Sequence, residues 1–231
     1  MMLQSIDKKK KIYFYIIVFL FLSTLNNLSV LNINNNILNI EKIKVKGLNQ
    51  NLNLEIYETV NFLLNTNILF VDKKQLIEKL NEFNFIESYI ILKKFPSNIE
   101  IILEQTKLVA VTIKENKKFF IGSNGKLIPI EIYNNHKELP YVFGDFLVKD
   151  FLDLIQKFKL NEFKYSDITD YYFFSSGRWD IKTTEGNYIK FPSSGLDKSI
   201  KIAKKIIENS NIKKKKILDL RIPNQVIILN E

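Results

Sequence analysis

Ile86-Glu87-Ser88-Tyr89-Ile90-Ile91-Leu92-Lys93-Lys94-Phe95-Pro96-Ser97-Asn98-Ile99-Glu100-Ile101-Ile102-Leu103-Glu104 decides the fold of the first half of this chain. Residues 86–93 are rich in β-formers. Ile99, Ile101 and Leu103 alternate with Glu100, Ile102 and Glu104, the period of two that a strand requires. Phe95-Pro96-Ser97-Asn98 is the turn between them, where Pro96 fixes φ and removes a backbone donor. Working backward, Asp72-Lys73-Lys74-Gln75 is an aspartate version of the capping box, with Val71 and Leu76 as its hydrophobic staple. Leu76, Leu80 and Phe83 continue an apolar stripe. Upstream, Ile56, Val60, Leu63 and Leu64 lie at helical spacing, with Asn53 as the expected N-cap. Ile40-Glu41-Lys42-Ile43-Lys44-Val45-Lys46-Gly47 puts Ile43 and Val45 on one face, and Gly47 ends the strand. The order is strand, helix, helix, strand, strand. A small sheet with two helices on one face buries these stripes.

Residues 107–231 read mostly as β. Short strands are predicted at 109–113, 119–121 and 126–130, around Ser123-Asn124-Gly125. A helix is predicted at 150–159 through Phe151, Leu154, Ile155 and Phe158. Residues 168–174, 178–183 and 187–191 form a meander, with turns at Ser175-Ser176-Gly177 and Glu185-Gly186. Leu196, Ile200, Ala203 and Ile207 mark another amphipathic helix. Strands at 217–220 and 226–229 follow, separated by Ile222-Pro223-Asn224. The expected fold class is α+β.

The N-terminal 31 residues differ in kind. Lys8 to Lys11 abut the apolar run Ile12-Tyr13-Phe14-Tyr15-Ile16-Ile17-Val18-Phe19-Leu20-Phe21-Leu22, and no charge follows before Glu41. A bilayer core takes roughly 20 mainly apolar residues as helix. Residues 12–31 are therefore expected to be a single transmembrane helix. The lysines stay cytoplasmic with residues 1–11, and the remainder lies outside. A cleaved signal peptide is the competing reading, but Leu25, Asn26, Asn27 and Leu28 offer no small-x-small cleavage site. About 190 residues remain, enough for one large or two small domains by size alone.

Composition excludes several chemistries. With no cysteine there is no disulfide scaffold, thiolate zinc site or cysteine nucleophile. The formal charge is +9, and lysines 8–11 and 213–216 supply eight positive charges. That placement reads as a topogenic cluster and a solvated turn, against a nucleic-acid stripe. His136 is the only histidine, without partners at metal-ligand spacing. Gly122-Ser123-Asn124-Gly125 is a turn, not a G-x-S-x-G elbow. Asp167 and Asp170 read as a solvated turn in preference to paired catalytic carboxylates. The expectation is a non-enzyme with no catalytic residue, metal, cofactor, small-molecule substrate or nucleic-acid partner. Trp179 reads as core, with Arg178 on the opposite strand face. Val226-Ile227-Ile228-Leu229 is apolar on both faces and unguarded by charge or proline. It is either a buried central strand or an edge open to a partner strand.

These segments together resemble the FtsQ/DivIB family of bacterial cell-division proteins, over essentially the whole chain. Ile43-Lys44-Val45-Lys46-Gly47 is similar to the I-x-V-x-G start of a POTRA domain. Leu69-Phe70-Val71-Asp72, Phe85-Ile86-Glu87-Ser88-Tyr89-Ile90 and Lys93-Lys94-Phe95-Pro96 with Ile99-Glu100-Ile101 continue the pattern. Further on, Leu139-Pro140-Tyr141-Val142-Phe143-Gly144 resembles L-P-x-x-x-G. Gly177-Arg178-Trp179-Asp180-Ile181 with Gly186-Asn187-Tyr188-Ile189 resembles R-W-x-L and G-x-x-I. Asp219-Leu220-Arg221-Ile222-Pro223-Asn224-Gln225-Val226 resembles the D-L-R segment, in the form of alphaproteobacterial members. The departures are Leu108 for proline, Lys93 or Lys94 for arginine, and Gly122 for aspartate.

The resemblance implies a POTRA domain over 39–106, β-α-α-β-β, and a mostly antiparallel β domain with flanking helices over 107–231. It implies Gly47, Asp72, Pro96, Arg178, Trp179, Gly186, Asp219 and Arg221 as structural motif residues. It implies a septal inner-membrane scaffold that recruits FtsB and FtsL and, through them, the septal peptidoglycan synthase complex. FtsB would be received at Ile222, Asn224, Gln225, Val226, Ile227 and Ile228. Two other readings compete. A POTRA protein of outer-membrane assembly or secretion would need repeated ten-residue barrel strands with aromatic girdles, which are not seen. A periplasmic hydrolase would need a convergent nucleophile and base.

Overall fold

The computed structural model describes residues 8–25, 38–133, 138–209, 216–222 and 225–230. His136, Pro223 and Asn224 lie outside the described residues, as do 26–31 of the expected transmembrane segment.

Helix α1 (Lys8–Leu25) holds the four lysines and the apolar run. Its large side chains from Ile12 to Leu22 are exposed, with no polar stripe to separate a core face from a solvent face. Among the described residues no helix is long and apolar enough to cross a membrane. Only Ile12 to Leu25 is uncharged within α1. At about 1.5 Å per residue that is roughly 20 Å of helix, short of a hydrocarbon core of about 30 Å.

The chain divides into two compact units, Met1–Ile77 with Ile90–Ile102, which includes α1, and Glu78–Tyr89 with Leu103–Glu231. The next elements are β1 (Lys42–Lys46), α2 (Gln50–Val60), α3 (Lys73–Asn81), β2 (Ile86–Lys94) and β3 (Asn98–Gln105). This is the predicted strand-helix-helix-strand-strand order. The three strands form a sheet in the order β1-β3-β2, with β1 parallel to β3 from Lys42 opposite Asn98 to Lys46 opposite Ile102. Ile43, Leu52, Ile56, Val60, Leu76, Ile99 and Ile101 are buried. Each such side chain contributes about 1.5–3 kcal/mol of apolar burial.

Of the two expected helix caps, Asp72 is realised and Asn53 is not. Asp72 Oδ1 accepts the amides of Lys74 at 2.8 Å and Gln75 at 3.3 Å, as its capping role requires. The cap of α2 is Asn49, whose Oδ1 accepts the Leu52 amide at 2.9 Å, and not Asn53. Asn53 instead lies inside the helix, and its side chain folds back on the Leu48 amide and carbonyl. Gly47 has φ of +111°, a backbone region nearly closed to other residues, and so turns the chain out of β1. The Phe95–Pro96 peptide at the β2–β3 turn is cis.

The second unit carries β4 (Leu108–Lys114), β5 (Lys117–Gly122), β6 (Leu127–Pro129), β7 (Tyr141–Phe143), α4 (Val148–Leu160), β8 (Ile168–Phe173), β9 (Trp179–Thr183), β10 (Tyr188–Lys190), α5 (Leu196–Asn209), β11 (Lys216–Asp219) and β12 (Ile227–Asn230). All nine strands join one sheet, in the order β12-β11-β10-β9-β8-β7-β4-β5-β6. Five of its pairings are antiparallel; β4–β7, β7–β8 and β10–β11 are parallel. The fold is thus α+β with a mostly antiparallel β domain. The amphipathic faces of α4 and α5 bury Phe151, Leu154, Ile155, Phe158, Ile200 and Ala203 in a core with Tyr171, Trp179, Ile181 and Phe191.

Gly144 follows β7 with φ of +107°, and a Cβ there would strike the Phe173 carbonyl oxygen. At Gly122 a Cβ would come within 2.5 Å of Asn124 Oδ1. Inside the same unit Glu87 accepts hydrogen bonds from the hydroxyls of Thr106 (2.6 Å) and Ser123 (2.9 Å). Gly186 makes the β9–β10 turn, its amide donating to Thr183 O at 2.9 Å.

Candidate partner-binding edge

β12 is the last strand of the nine-stranded sheet. It pairs with β11 on one side, from Asp219 opposite Ile227 to Lys216 opposite Asn230. Val226, Ile227, Ile228 and Leu229 are 40%, 38%, 50% and 52% exposed. Of the two readings open for this segment, the edge is the one realised. Isoleucine and leucine on an exposed edge are what a sheet ordinarily avoids. Ile222 is 47% exposed, and the Gln225 amide donates to its carbonyl at 3.2 Å, so Ile222 and Gln225 belong to the turn leading into β12.

Beside this turn is a cleft of about 360 Å³ whose lining includes Arg178, Lys198, Arg221, Ile222 and Gln225, together with Ser193 and Ser199. Two of its cations, Arg178 and Arg221, are paired with carboxylates. Arg221 Nε reaches both oxygens of Asp219 at 2.9 and 3.0 Å, and Nη2 adds a bond of 2.6 Å. The Arg221 guanidinium holds the Asp219 carboxyl below the usual carboxylate range. Arg178 lies over the Phe174 ring, 4.0 Å from its centroid, and its Nε is 3.6 Å from Asp180 Oδ1. That gap is an ion pair without a hydrogen bond, and both atoms are buried without one. Burial pushes the Asp180 carboxyl up, opposed by Arg178, Lys190 and Arg221.

Trp179 is 5% exposed and packs against Phe173, Phe146 and Phe151, the nearest ring centroid at 4.8 Å. It is core, as the strand alternation predicts. Sequence reasoning placed Arg178 and Arg221 among structural residues and gave Lys198 no role. Strand and helix periodicity carries no signal that three cations so far apart in sequence line one cleft. Among the described residues no group of acidic, histidine or cysteine side chains is arranged to hold a metal ion.

Residues 38–105 match the family model described as POTRA domain, FtsQ-type, and residues 110–221 match that of Cell division protein FtsQ/DivIB, C-terminal. The chain is 21% identical over 169 residues to the cell division protein FtsQ of Bradyrhizobium diazoefficiens, covering 71% of this chain and 48% of that protein. It is 30% identical over 122 residues to the cell division protein DivIB of Clostridium botulinum strain Loch Maree, covering 52% and 46%. The chain spans about half the length of the curated relatives it matches. The major extracytoplasmic domain of the trans isomer of DivIB from Geobacillus stearothermophilus aligns with a TM-score of 0.30 at 12% identity, over 47% of this chain and 99% of that one. A POTRA domain followed by this β domain defines a class of cell-division protein. Within that class, the chain belongs to the FtsQ/DivIB family.

Proposed function

We propose that this protein is a non-catalytic, single-pass inner-membrane scaffold of the division septum, with residues 12–31 spanning the bilayer. Residues 1–11 stay cytoplasmic, as the lysine cluster dictates. A POTRA domain over 39–106 and a β domain over 107–231 are periplasmic. The scaffold recruits FtsB- and FtsL-type proteins, and through them the septal peptidoglycan synthase complex. The chemistry of septum formation belongs to those partners.

The observation that carries this reading is the β12 edge. A partner strand docking there by β-augmentation gains main-chain hydrogen bonds, and side-chain pockets give specificity. The exposed Ile228 and Leu229 offer apolar contact. The adjoining cations Arg178, Lys198 and Arg221 favour an acidic residue beside the docking strand. Ile222, Asn224, Gln225, Val226, Ile227 and Ile228 form the proposed contact segment.

The test is capture of FtsB-type protein by the full chain from detergent-solubilised membranes, with site-specific cross-linking from Gln225. A cross-link to that partner supports the reading. Full capture without any cross-link from Gln225 moves the interface elsewhere. A reporter that is active only in the cytoplasm, fused after Glu231, is expected to be silent; activity there refutes the orientation.

A further inference from the structure

The first unit exposes its aromatic tips where the chain enters it. The entering segment is hydrogen-bonded on two sides: Ile68 N donates to Leu38 O (2.8 Å) and Ile40 N to Thr66 O (2.9 Å), while Glu41 N donates to Ser97 O (2.9 Å). Phe70 follows Ile68 by two residues and is 84% exposed; Phe95 precedes Ser97 by two and is 59% exposed. Leu69, next to Phe70, is tied to the end of β2 by Lys93, whose Nζ donates to Leu69 O at 3.4 Å. Lys73 and Lys74 are exposed and follow Phe70 closely in sequence. One end of this unit therefore carries two protruding rings, with two exposed lysines three and four residues after Phe70. Only residues 26–37 separate it from the apolar helix α1.

We infer that this end of the POTRA unit contacts the lipid surface, with Phe70 and Phe95 dipping into the headgroup layer and Lys73 and Lys74 facing anionic lipid phosphates. Exposed rings contribute little in water, whereas interfacial insertion of apolar tips beside lysines is a recognised mode of peripheral membrane contact. Charge and tether length both favour lipid over a second protein here. The inference rests on the proposal that the N-terminal segment is an anchor. It adds that the anchored unit has a fixed face toward the bilayer.

The test uses the full chain in phosphatidylcholine bilayers with and without phosphatidylglycerol. The chain has no native cysteine, so single labels are unambiguous. An environment-sensitive fluorophore is placed by Leu69→Cys at the tip, by Asn51→Cys past the far end of β1, and by Val18→Cys in α1. A lipid-borne quencher at headgroup depth reports contact. Quenching at 69 is expected to exceed that at 51 by about threefold, to rise with phosphatidylglycerol, and to be lost in the Phe70→Asp/Phe95→Asp double variant. No quenching at 69 while the Val18 label is buried in the bilayer overturns the inference and leaves the anchor standing. Quenching at 69 with Val18 outside the bilayer upholds the tip contact and sinks the anchor. Protection of the 69 label that requires added membrane protein assigns the tips to a protein partner and overturns the lipid assignment.

Discussion

Arg221 closes onto the carboxylate of Asp219, two residues before it, through three side-chain hydrogen bonds of 2.6 to 3.0 Å. Asp219 is the last residue of β11 and lies opposite Ile227 of β12. The pair thus fixes a cation at the foot of the exposed edge.

Asp219→Asn is expected to free Arg221 while leaving the domain folded. Loss of a charge-assisted bond at a half-exposed site is worth about 1 kcal/mol, so partner affinity should fall about fivefold. Arg221→Lys should not preserve binding, because an ammonium lacks the planar fork. Titration calorimetry against an FtsB-type peptide measures both. Unchanged affinity in both variants would remove this pair from the interface.

The edge makes a second prediction, on proline. Successive residues of an antiparallel strand point their N–H groups alternately inward and outward. Of Ile227→Pro and Ile228→Pro, one removes an outward N–H and the other a bond to β11. The outward variant should keep its circular dichroism spectrum and lose partner capture; the other should loosen β12. If both capture partner normally, main-chain pairing at β12 is not the mode of recognition.

Trp179→Ala should destabilise the protein by about 3–5 kcal/mol, since it opens a cavity among Phe146, Phe151 and Phe173. Urea unfolding of the second unit, followed by its tyrosine signal, checks this. A cost under about 1 kcal/mol would mean that the surrounding rings collapse into the space.

Glu100 predicts the acid response of the first unit. It is 4% exposed, and Lys46 and Lys94 both donate to its carboxylate, the first being the larger influence. They hold the carboxyl down at about 2, from an ordinary 4.5. A carboxylate with a depressed folded value stabilises fully above its unfolded value and loses that contribution as pH falls toward the folded one. Native stability should therefore decline between about pH 4.5 and about pH 2. Glu100→Gln should be less stable at neutral pH and flatter across that window. Chemical denaturation at several pH values decides it; parallel curves for the two proteins would contradict the assignment.

Much of this protein was legible in its local sequence. The alternation at Ile99, Ile101 and Leu103, the cap at Asp72, the turn at Phe95-Pro96 and the stripes of α4 and α5 each depend on neighbours a few residues apart. Element type and order follow from such short-range terms. Asn49 was missed as a cap because Asn53 offers the same side chain one turn later, and propensity does not separate them. β7 escaped because three residues are too few to show a period.

What the tertiary structure alone decided is adjacency. The parallel insertion of β7 between β4 and β8, the pairing of Glu100 with Lys46 of β1, and the gathering of Arg178, Lys198 and Arg221 are arrangements that join residues far apart in sequence. So is the placement of Ile227 and Ile228 at an edge: their sequence fitted a central strand equally well. Side-chain periodicity says which face of a strand is apolar. It does not say which strand comes to lie beside it, because that choice is made by the packing of the whole sheet against α4 and α5.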